Sequence, residues 1–402
     1  MARSWKGFGA LALGAIVGGT LGSSVADAKT KDGKYLIYYS MSYVGNAWQA
    51  EAKNAITAMS KTAAYRDKVE LRVQASGANA QRQIEQINAM IQAGADAIVA
   101  FPISPTALNG VIKTACDKKV VFVAVNGVTE PCAYNVKIDG VKHGAKQAKW
   151  VFEAIGGKGN VVYITGVPGV SYSEDYGKGV METAKNYPGV HITGTLVGMW
   201  DQSLARVKMK EFLATHTWDD IDGVIAATGC YTISQMQVED GRWPGKPIIP
   251  CAGESSNGGR LQMLPKDSGV EGALGRNGLS TGSGLFAAPY AFKVAMRILA
   301  GEKVDQTTYY EGVPVTRETV KLCKTGTAKE FAEGCNTIPP GTVPPDYAID
   351  FWSPNTPELG FNSAWEELFP TLFPTRRYPP NTLLVVDRLV QFLIEIETIA
   401  AL

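Results

Sequence analysis

Short apolar, β-branched runs alternate with amphipathic helical stretches along most of the chain, and the alternation occurs twice. In the first half the runs are YLIYY (35–39), VELRVQAS (69–76), DAIVAF (96–101), VVFVAV (120–125) and AYNVKI (133–138). Helical patterns lie between them near 47–63, 80–93, 105–118 and 142–155. In the second half the runs are NVVYIT (160–165), VHITGTLVG (190–198), DGVIAAT (222–228), KPIIPCAG (246–253) and GVEGALG (269–275). Their helical partners fall near 173–187, 203–214, 231–240 and 283–300. This rhythm predicts parallel sheets covered by helices on both faces. Strands buried on both faces read as continuous apolar runs, as these do. The expectation is two similar α/β lobes.

Parallel sheets bind ligands beyond the carboxyl ends of their strands, so the residues after each run carry the functional signal. The first run opens into Ser40 to Trp48, the third into Phe101-Pro102 and the fourth into Asn126-Gly127. In the second half the corresponding stretches are Gly166 to Tyr176, Trp200-Asp201-Gln202, Thr228-Gly229-Cys230, Gly253-Glu254-Ser255 and Arg276-Asn277. Each alone reads as turn chemistry. Together they place Asn, Trp, Glu or Arg at nearly every strand end, which is more than turns require.

Arg3 and Lys6 precede a glycine-broken apolar stretch, Phe8 to Leu21, and Ala26-Asp27-Ala28 offers a small-x-small cleavage site. That is the layout of an export signal (1–28) removed near Ala28. Its apolar core is too short and too glycine-rich for the roughly 20 residues of a membrane span, and no cysteine sits there to carry a lipid. The formal net charge is +1 with no basic stripe, which argues against a nucleic-acid partner, because that binding needs clustered Lys and Arg.

Six cysteines in an exported chain point to disulfides. Sequence proximity suggests Cys116–Cys132, Cys230–Cys251 and Cys323–Cys335, while other connectivities and separate buried thiols stay open. Zinc is disfavoured, because there is no CxxC and no histidine stands at ligand spacing from a cysteine.

The sequence has no GxxxxGK[ST] and no GxGxxG after the first strand, and GVSYSEDYG places serines in a glycine-bounded loop without the GxSxG spacing. Its three histidines, His143, His191 and His216, do not follow strands, so structural or surface roles are expected. The acidic pairs Glu174-Asp175 and Asp219-Asp220 do not supply two facing carboxyls at a defined separation. No enzyme activity, metal or organic cofactor is expected.

From about 33 to 320 the chain resembles the periplasmic sugar-binding proteins of the ribose-binding type, the solute-binding components of ABC importers. The resemblance is carried by SMSYVGNAWQAEAKNAI, IEQINAMIQAGADAIVAFPISPTAL and VVFVAVNGV, then by VVYITGVPGVSYSEDYGKGV, MWDQSLARVKM, VIAATGCYTIS and PCAGESSNGG. It implies two Rossmann-like lobes joined by a hinge, of the type I periplasmic-binding-protein fold, closing on a sugar or polyol. Asn46 and Trp48, within a loop that also holds Ser42 and Tyr43, match the asparagine and aromatic of the first-lobe loop. Trp200 matches the aromatic of the second lobe, so that the two indoles would sandwich a sugar ring.

Elsewhere the ribose pattern is not kept. Phe101 stands for an asparagine, Asn126-Gly127 for Asp-Arg, Glu174 for an arginine, Thr228 for an asparagine, Glu254 for an aspartate and Arg276 for a glutamine. A buried hydroxyl left without its partner costs about 1–3 kcal/mol, so a different monosaccharide, a polyol or a sugar derivative is expected. Arg276 leaves room for an acidic sugar, and an Arg276–Glu254 salt bridge is the plain alternative.

The resemblance also implies hinge crossings near 137–140 and 303–313, a monomer, and delivery of ligand to a membrane permease. A periplasmic sensor presenting its sugar to a receptor would have the same lobes, and a carbohydrate-active enzyme is the remote alternative. A sugar-responsive repressor would need a DNA-binding module ahead of the first lobe, where the export signal leaves no room. The expected division is 29–138 plus 278–304 for the N-terminal lobe and 139–277 plus 305–322 for the C-terminal lobe. A Pro-rich extension (323–365) and an appended tail (366–402) follow. The tail carries Asp387, Arg388, Glu395 and Glu397 in an apolar run, which argues against a membrane span. It is expected to be poorly ordered, with a docked or oligomer-forming helix as the alternative.

Overall fold

The computed structural model describes residues 32–350, apart from 44–46, 283, 285, 328–329 and 332. The export segment, residues 351–365 of the extension and the appended tail lie outside the described residues.

The first lobe alternates strand and helix: β1 (Tyr35–Met41), α1 (Ala47–Lys61), β2 (Val69–Ala75), α2 (Ala80–Gln92), β3 (Ala97–Phe101), α3 (Asn109–Asp117), β4 (Val121–Val125) and β5 (Tyr134–Ile138). Side chains of β3 and β4 are almost wholly buried, because helices cover both faces of the sheet. The second lobe follows with α4 (Gly140–Ala154), β6 (Lys158–Thr165), α5 (Ser171–Ala184), β7 (Gly189–Val197) and α6 (Gln202–Leu213). It continues through β8 (Gly223–Ala226), α7 (Cys230–Glu239), β9 (Cys251–Gly253), α8 (Asn257–Leu261) and β10 (Gly278–Ser280). The chain then returns through α9 (Ala287–Leu299), β11 (Thr307–Tyr310) and β12 (Val315–Thr316).

The strands form two six-stranded sheets, ordered β2-β1-β3-β4-β5-β11 and β7-β6-β8-β9-β10-β12. All pairings are parallel except β10 with β12. The two-lobed α/β architecture read from the sequence is thus the one observed.

The connection between the lobes differs from the expected division in two places. β10 belongs to the second sheet through its pairing with β9, so residues 278–280 are not part of the first lobe. β11 lies in the first sheet beside β5, so residues 307–310 are not part of the second. The backbone amide of Asn135 donates to Gln306 O at 2.8 Å and continues the ladder that β11 completes. The chain therefore crosses between Ile138 and Gly140, between Ser280 and Ala287, and between Tyr310 and Val315. GVEGALG (269–275) is not a strand: Gly269, Gly272 and Gly275 all adopt positive φ (71°, 83° and 66°), which turns the chain rather than extending it.

The first crossing leads straight into α4, whose start is fixed by Asp139: its Oδ1 accepts the Lys142 amide at 3.0 Å, a standard N-cap. α4 then lies against α5 at very short range. A Cβ added to Gly144 would stand 2.1 Å from Tyr176 O, and one added to Gly179 would stand 2.1 Å from Val141 O. Two helices meet backbone to backbone here, and only glycine permits it.

All three proximity-based disulfides are formed, with Cα separations of 6.4 Å (Cys116–Cys132), 5.7 Å (Cys230–Cys251) and 5.2 Å (Cys323–Cys335). The last one closes a loop in the Pro-rich extension, which crosses both lobes as a strap. Its apolar side (Phe331, Ile338, Val343, Ile349) packs with Ala55 of α1. On the second lobe Asp350 is ion-paired with Arg260, both only 2% exposed, and accepts the Gly282 amide at 3.0 Å.

The α4–α5 seam gives a direct test. Gly144→Ala forces the added methyl into the Tyr176 carbonyl, and overpacking of this kind costs about 1–3 kcal/mol. Urea denaturation of the variant should show a loss in that range, whereas Gly110→Ala, with open space around its Cβ position, should show no comparable loss.

Candidate functional site

The carboxyl ends of both sheets open on one cleft of about 750 Å³, walled by residues of both lobes and by the strap. Six of the candidate ligand residues line it: Trp48, Phe101, Asn126, Trp200, Thr228 and Glu254.

Trp48 lies in the first turn of α1. Its ring rests 5.5 Å from that of Phe101, inclined at 54°, so Phe101 supports the indole. The Trp48 Nε1–H is buried and has no hydrogen-bond partner among the described residues. From the opposite lobe, Trp200 is held by local backbone geometry. Met199 and Trp200 both take left-handed conformations, φ 52° and 57°, which side chains with a Cβ seldom adopt. The Trp200 ring lies on Gly166, where an added Cβ would approach it to 2.3 Å, and its other neighbour is Tyr172, 6.0 Å between ring centres. Unusual backbone angles of this kind persist where the surroundings enforce them, often at functional sites.

Asn126 also has a positive φ, 65°, which asparagine tolerates. Its Oδ1 accepts the Tyr310 hydroxyl at 3.3 Å. Thr228 donates to Ala227 O at 2.9 Å.

Glu254 reaches the wall with its hydrogen-bonding capacity already occupied. Oε2 accepts the Gly229 amide at 2.5 Å and Gln202 Nε2 at 2.7 Å, and Oε1 accepts the Tyr231 amide and Ser256 Oγ, both at 2.8 Å. A carboxylate at the amino end of α7 satisfies amides that the helix leaves open and sits at its positive pole. Glu254 thereby fixes the start of α7 and the orientation of Gln202.

The remaining candidates among the described residues do not line the cleft. Arg276 is 2% exposed and donates to Cys251 O at 3.1 Å and Gly259 O at 2.8 Å. Burial pushes its pKa down to about 10, opposed by the Glu254 charge, yet no ion pair joins the two among the described residues. Glu174 accepts the Gly169 amide at 2.9 Å and secures the loop before α5. Ser42 is fully buried. Tyr43 stands outside the wall, and its phenol is raised by burial and by the Asp201 charge. Asn46 lies outside the described residues.

Other groups reach the cleft that were not singled out as candidates. Asp201 and Gln202 do so from the Trp200 strand end, where Asp201 also caps α6 through the Leu204 amide at 2.7 Å. Lys53 comes from the second turn of α1. Gln147 and Tyr172 form the floor and belong to a buried network. His143 Nδ1 lies 2.7 Å from Tyr172 Oη and Nε2 lies 2.9 Å from Gln147 Nε2. Gln147 donates to Thr281 O at 3.0 Å and accepts the Tyr176 hydroxyl. One side chain thus ties α4, α5 and the second crossing together. The strap adds Pro345, Asp346 and Ala348 to the wall.

A profile of the periplasmic binding protein domain family matches residues 37–303, and the chain belongs to that family. The chain is similar to the xylitol-binding protein of Mycolicibacterium smegmatis, with 26% identity over 318 residues, 78% of this chain and 85% of that protein. It is similar to the galactofuranose-binding protein YtfQ of Escherichia coli, with 28% identity over 213 residues, 51% of this chain and 66% of that one. Its fold superposes on the crystal structure of an ABC transporter solute-binding protein from Thermobispora bispora with a TM-score of 0.64. The two are 25% identical, and the match covers 84% of this chain and 96% of that one.

The floor network has a pH signature. Burial lowers the His143 pKa from 6.5 to about 4, so between those values the unfolded chain binds the extra proton and the folded one does not. The His143 contribution is therefore full above about pH 6.5 and is lost as pH falls toward 4, by up to about 3 kcal/mol. Asp346 and Glu51, whose carboxyls are raised by burial, act in the opposite sense, so the test is a difference: as pH falls across that window, the urea midpoint of His143→Gln should drop less, or rise more, than that of the wild type.

Proposed function

We propose that the protein is an extracytoplasmic solute-binding protein that captures a monosaccharide, polyol or neutral sugar derivative between its lobes and hands it to the permease of an ABC importer. It acts by binding and release, as a monomer and without catalysis. The observation that carries the reading is the placement of Trp48 and Trp200, from different lobes and different strand ends, in the wall of one cleft. Indole faces suit the apolar C–H faces of a pyranose, furanose or polyol chain. Gln202, Asn126 and Thr228 in the same wall suit its hydroxyls. Membership of the periplasmic binding protein domain family, and similarity to a xylitol-binding and a galactofuranose-binding protein, support the same class of ligand.

Three chain crossings, at 138–140, 280–287 and 310–315, are the places where the lobes can rotate. A ligand that contacts both walls selects the closed arrangement, because only there does it gain both sets of contacts. The closed form is the one that docks on the permease. The arginine expected to admit an acidic sugar, Arg276, is directed into the backbone beneath β9 rather than into the cleft, which favours neutral ligands.

A thermal-shift screen with xylitol, myo-inositol, arabinose, galactose, galactosamine and galacturonate should give a specific stabilising compound that is recovered unchanged. Trp48→Ala and Trp200→Ala should each weaken that compound by at least about 1 kcal/mol, in the range of aromatic contacts. Full affinity in both variants would remove the two-indole clamp, and conversion of the compound would indicate an enzyme.

A further inference from the structure

The strap enters the cleft beyond the span of the family match, which ends at residue 303. The main chain around Asp346 is pinned on both sides. Pro345 O accepts the Gly258 amide at 2.7 Å and Tyr347 O accepts the Asn257 amide at 2.8 Å. One residue further, the Ala348 amide donates to both carboxylate oxygens of Glu51 on α1, at 3.1 and 3.2 Å, and the Ile349 amide donates to Ser255 O at 3.0 Å. Gly258 is required for this docking: a Cβ there would meet Pro345 Cβ at 2.8 Å and the Tyr231 ring at 2.7 Å. The backbone amides at the start of α8 and the carboxylate of α1 thus hold a short segment rigidly against both lobes.

Between those anchors the Asp346 side chain faces the cleft. Its own backbone amide donates to its carboxylate, and no hydrogen bond from another described residue reaches it. The charged residues of the wall are Asp201, Glu254, Asp346 and Lys53. Glu254 is saturated by four donors, and Asp201 is engaged as the α6 cap. Asp346 is therefore the wall carboxylate that no other described residue's donor engages. Burial and the charges of Glu254 and Asp201 raise its pKa to about 6, in keeping with a position among other acids.

We propose that Asp346 is a ligand-binding residue supplied by the strap, and that it makes the site discriminate by charge, accepting neutral and amino-bearing polyhydroxylated ligands and rejecting acidic ones. This rests on the reading of the cleft as a sugar or polyol site. A carboxylate that no neighbouring residue engages retains acceptor capacity for ligand hydroxyls, and hydrogen bonds to an ionised acceptor are stronger than neutral ones. A ligand carboxylate in the same place would face three protein carboxylates against one lysine, and like charges so juxtaposed are disfavoured. The strap acts as a third wall, adding selectivity that the two lobes alone do not provide.

The test is calorimetric titration of the full chain with the neutral compound found in the screen, with galactosamine and with galacturonate, in wild type, Asp346→Ala and Asp346→Asn. Wild type should bind the neutral compound at least tenfold more tightly than galacturonate. Asp346→Ala should weaken the neutral compound about tenfold or more, and Asp346→Asn should weaken it less while narrowing the gap to galacturonate. The ligand-free melting temperature should hold or rise in both variants, since a repelled carboxylate is removed. Wild-type affinity in both variants, or a lowered melting temperature with unaltered affinity, would overturn the role of Asp346 and leave the sugar-binding reading standing. A wild type that binds none of the compounds would overturn both.

Discussion

In a parallel sheet every strand finishes on the same side, and that constraint organises the whole molecule. Each lobe has one edge where loops emerge from the carboxyl ends of its strands, and the cleft forms where the two edges meet. Side chains far apart in sequence, such as Trp48, Asn126, Trp200 and Glu254, come together for this reason alone. The price is connectivity: the chain must pass between the lobes three times. The crossings are braced from the second lobe by the close seam of Gly144 and Gly179 and by Gln147, which holds the carbonyl of Thr281. Gln147 thus belongs both to the floor of the site and to the bracing of the second crossing.

Much of this was legible in the sequence because it depends on local pattern. Continuous apolar runs such as VFVAV could only be strands covered on both faces, and they are. Strand ends bearing Trp, Asn or Thr where a plain turn would suffice marked the cleft. Even the disulfides followed from proximity, because each pair joins cysteines 12 to 21 residues apart in sequence. Cys230–Cys251, for example, joins the start of α7 to β9.

What could not be read depends on direction and on tertiary docking. Arg276 stands just before a strand, β10, rather than after one, because GVEGALG turns on three glycines instead of extending. Its side chain accordingly runs under the sheet. β10 and β11 are three and four residues long, too short for a periodic signal, and each joins its sheet by completing an edge that other strands define. Glu174 lies after a strand, but the loop turns so that its carboxylate closes on Gly169. Nothing in the string DYAID reveals that Asp346 would be carried into the cleft, since its position is set by backbone bonds to Asn257 and Gly258 about 90 residues earlier.

The charges of the site divide by their solvation. Fully buried charges must be satisfied by fixed partners or they become too costly to keep. Arg260 with Asp350 and Glu254 with four donors meet that requirement within the protein, whereas Arg276 donates to two carbonyls and keeps a buried Nε–H without a partner among the described residues. Groups so engaged shape the frame and have little capacity left for a guest. Two groups of wall residues are engaged by no other described residue: the buried Trp48 indole N–H and the Asp346 carboxylate. The framework of the cleft thus comes from residues held by bonds within the protein, and on the proposed reading its choice of ligand comes from those whose hydrogen bonds remain to be made.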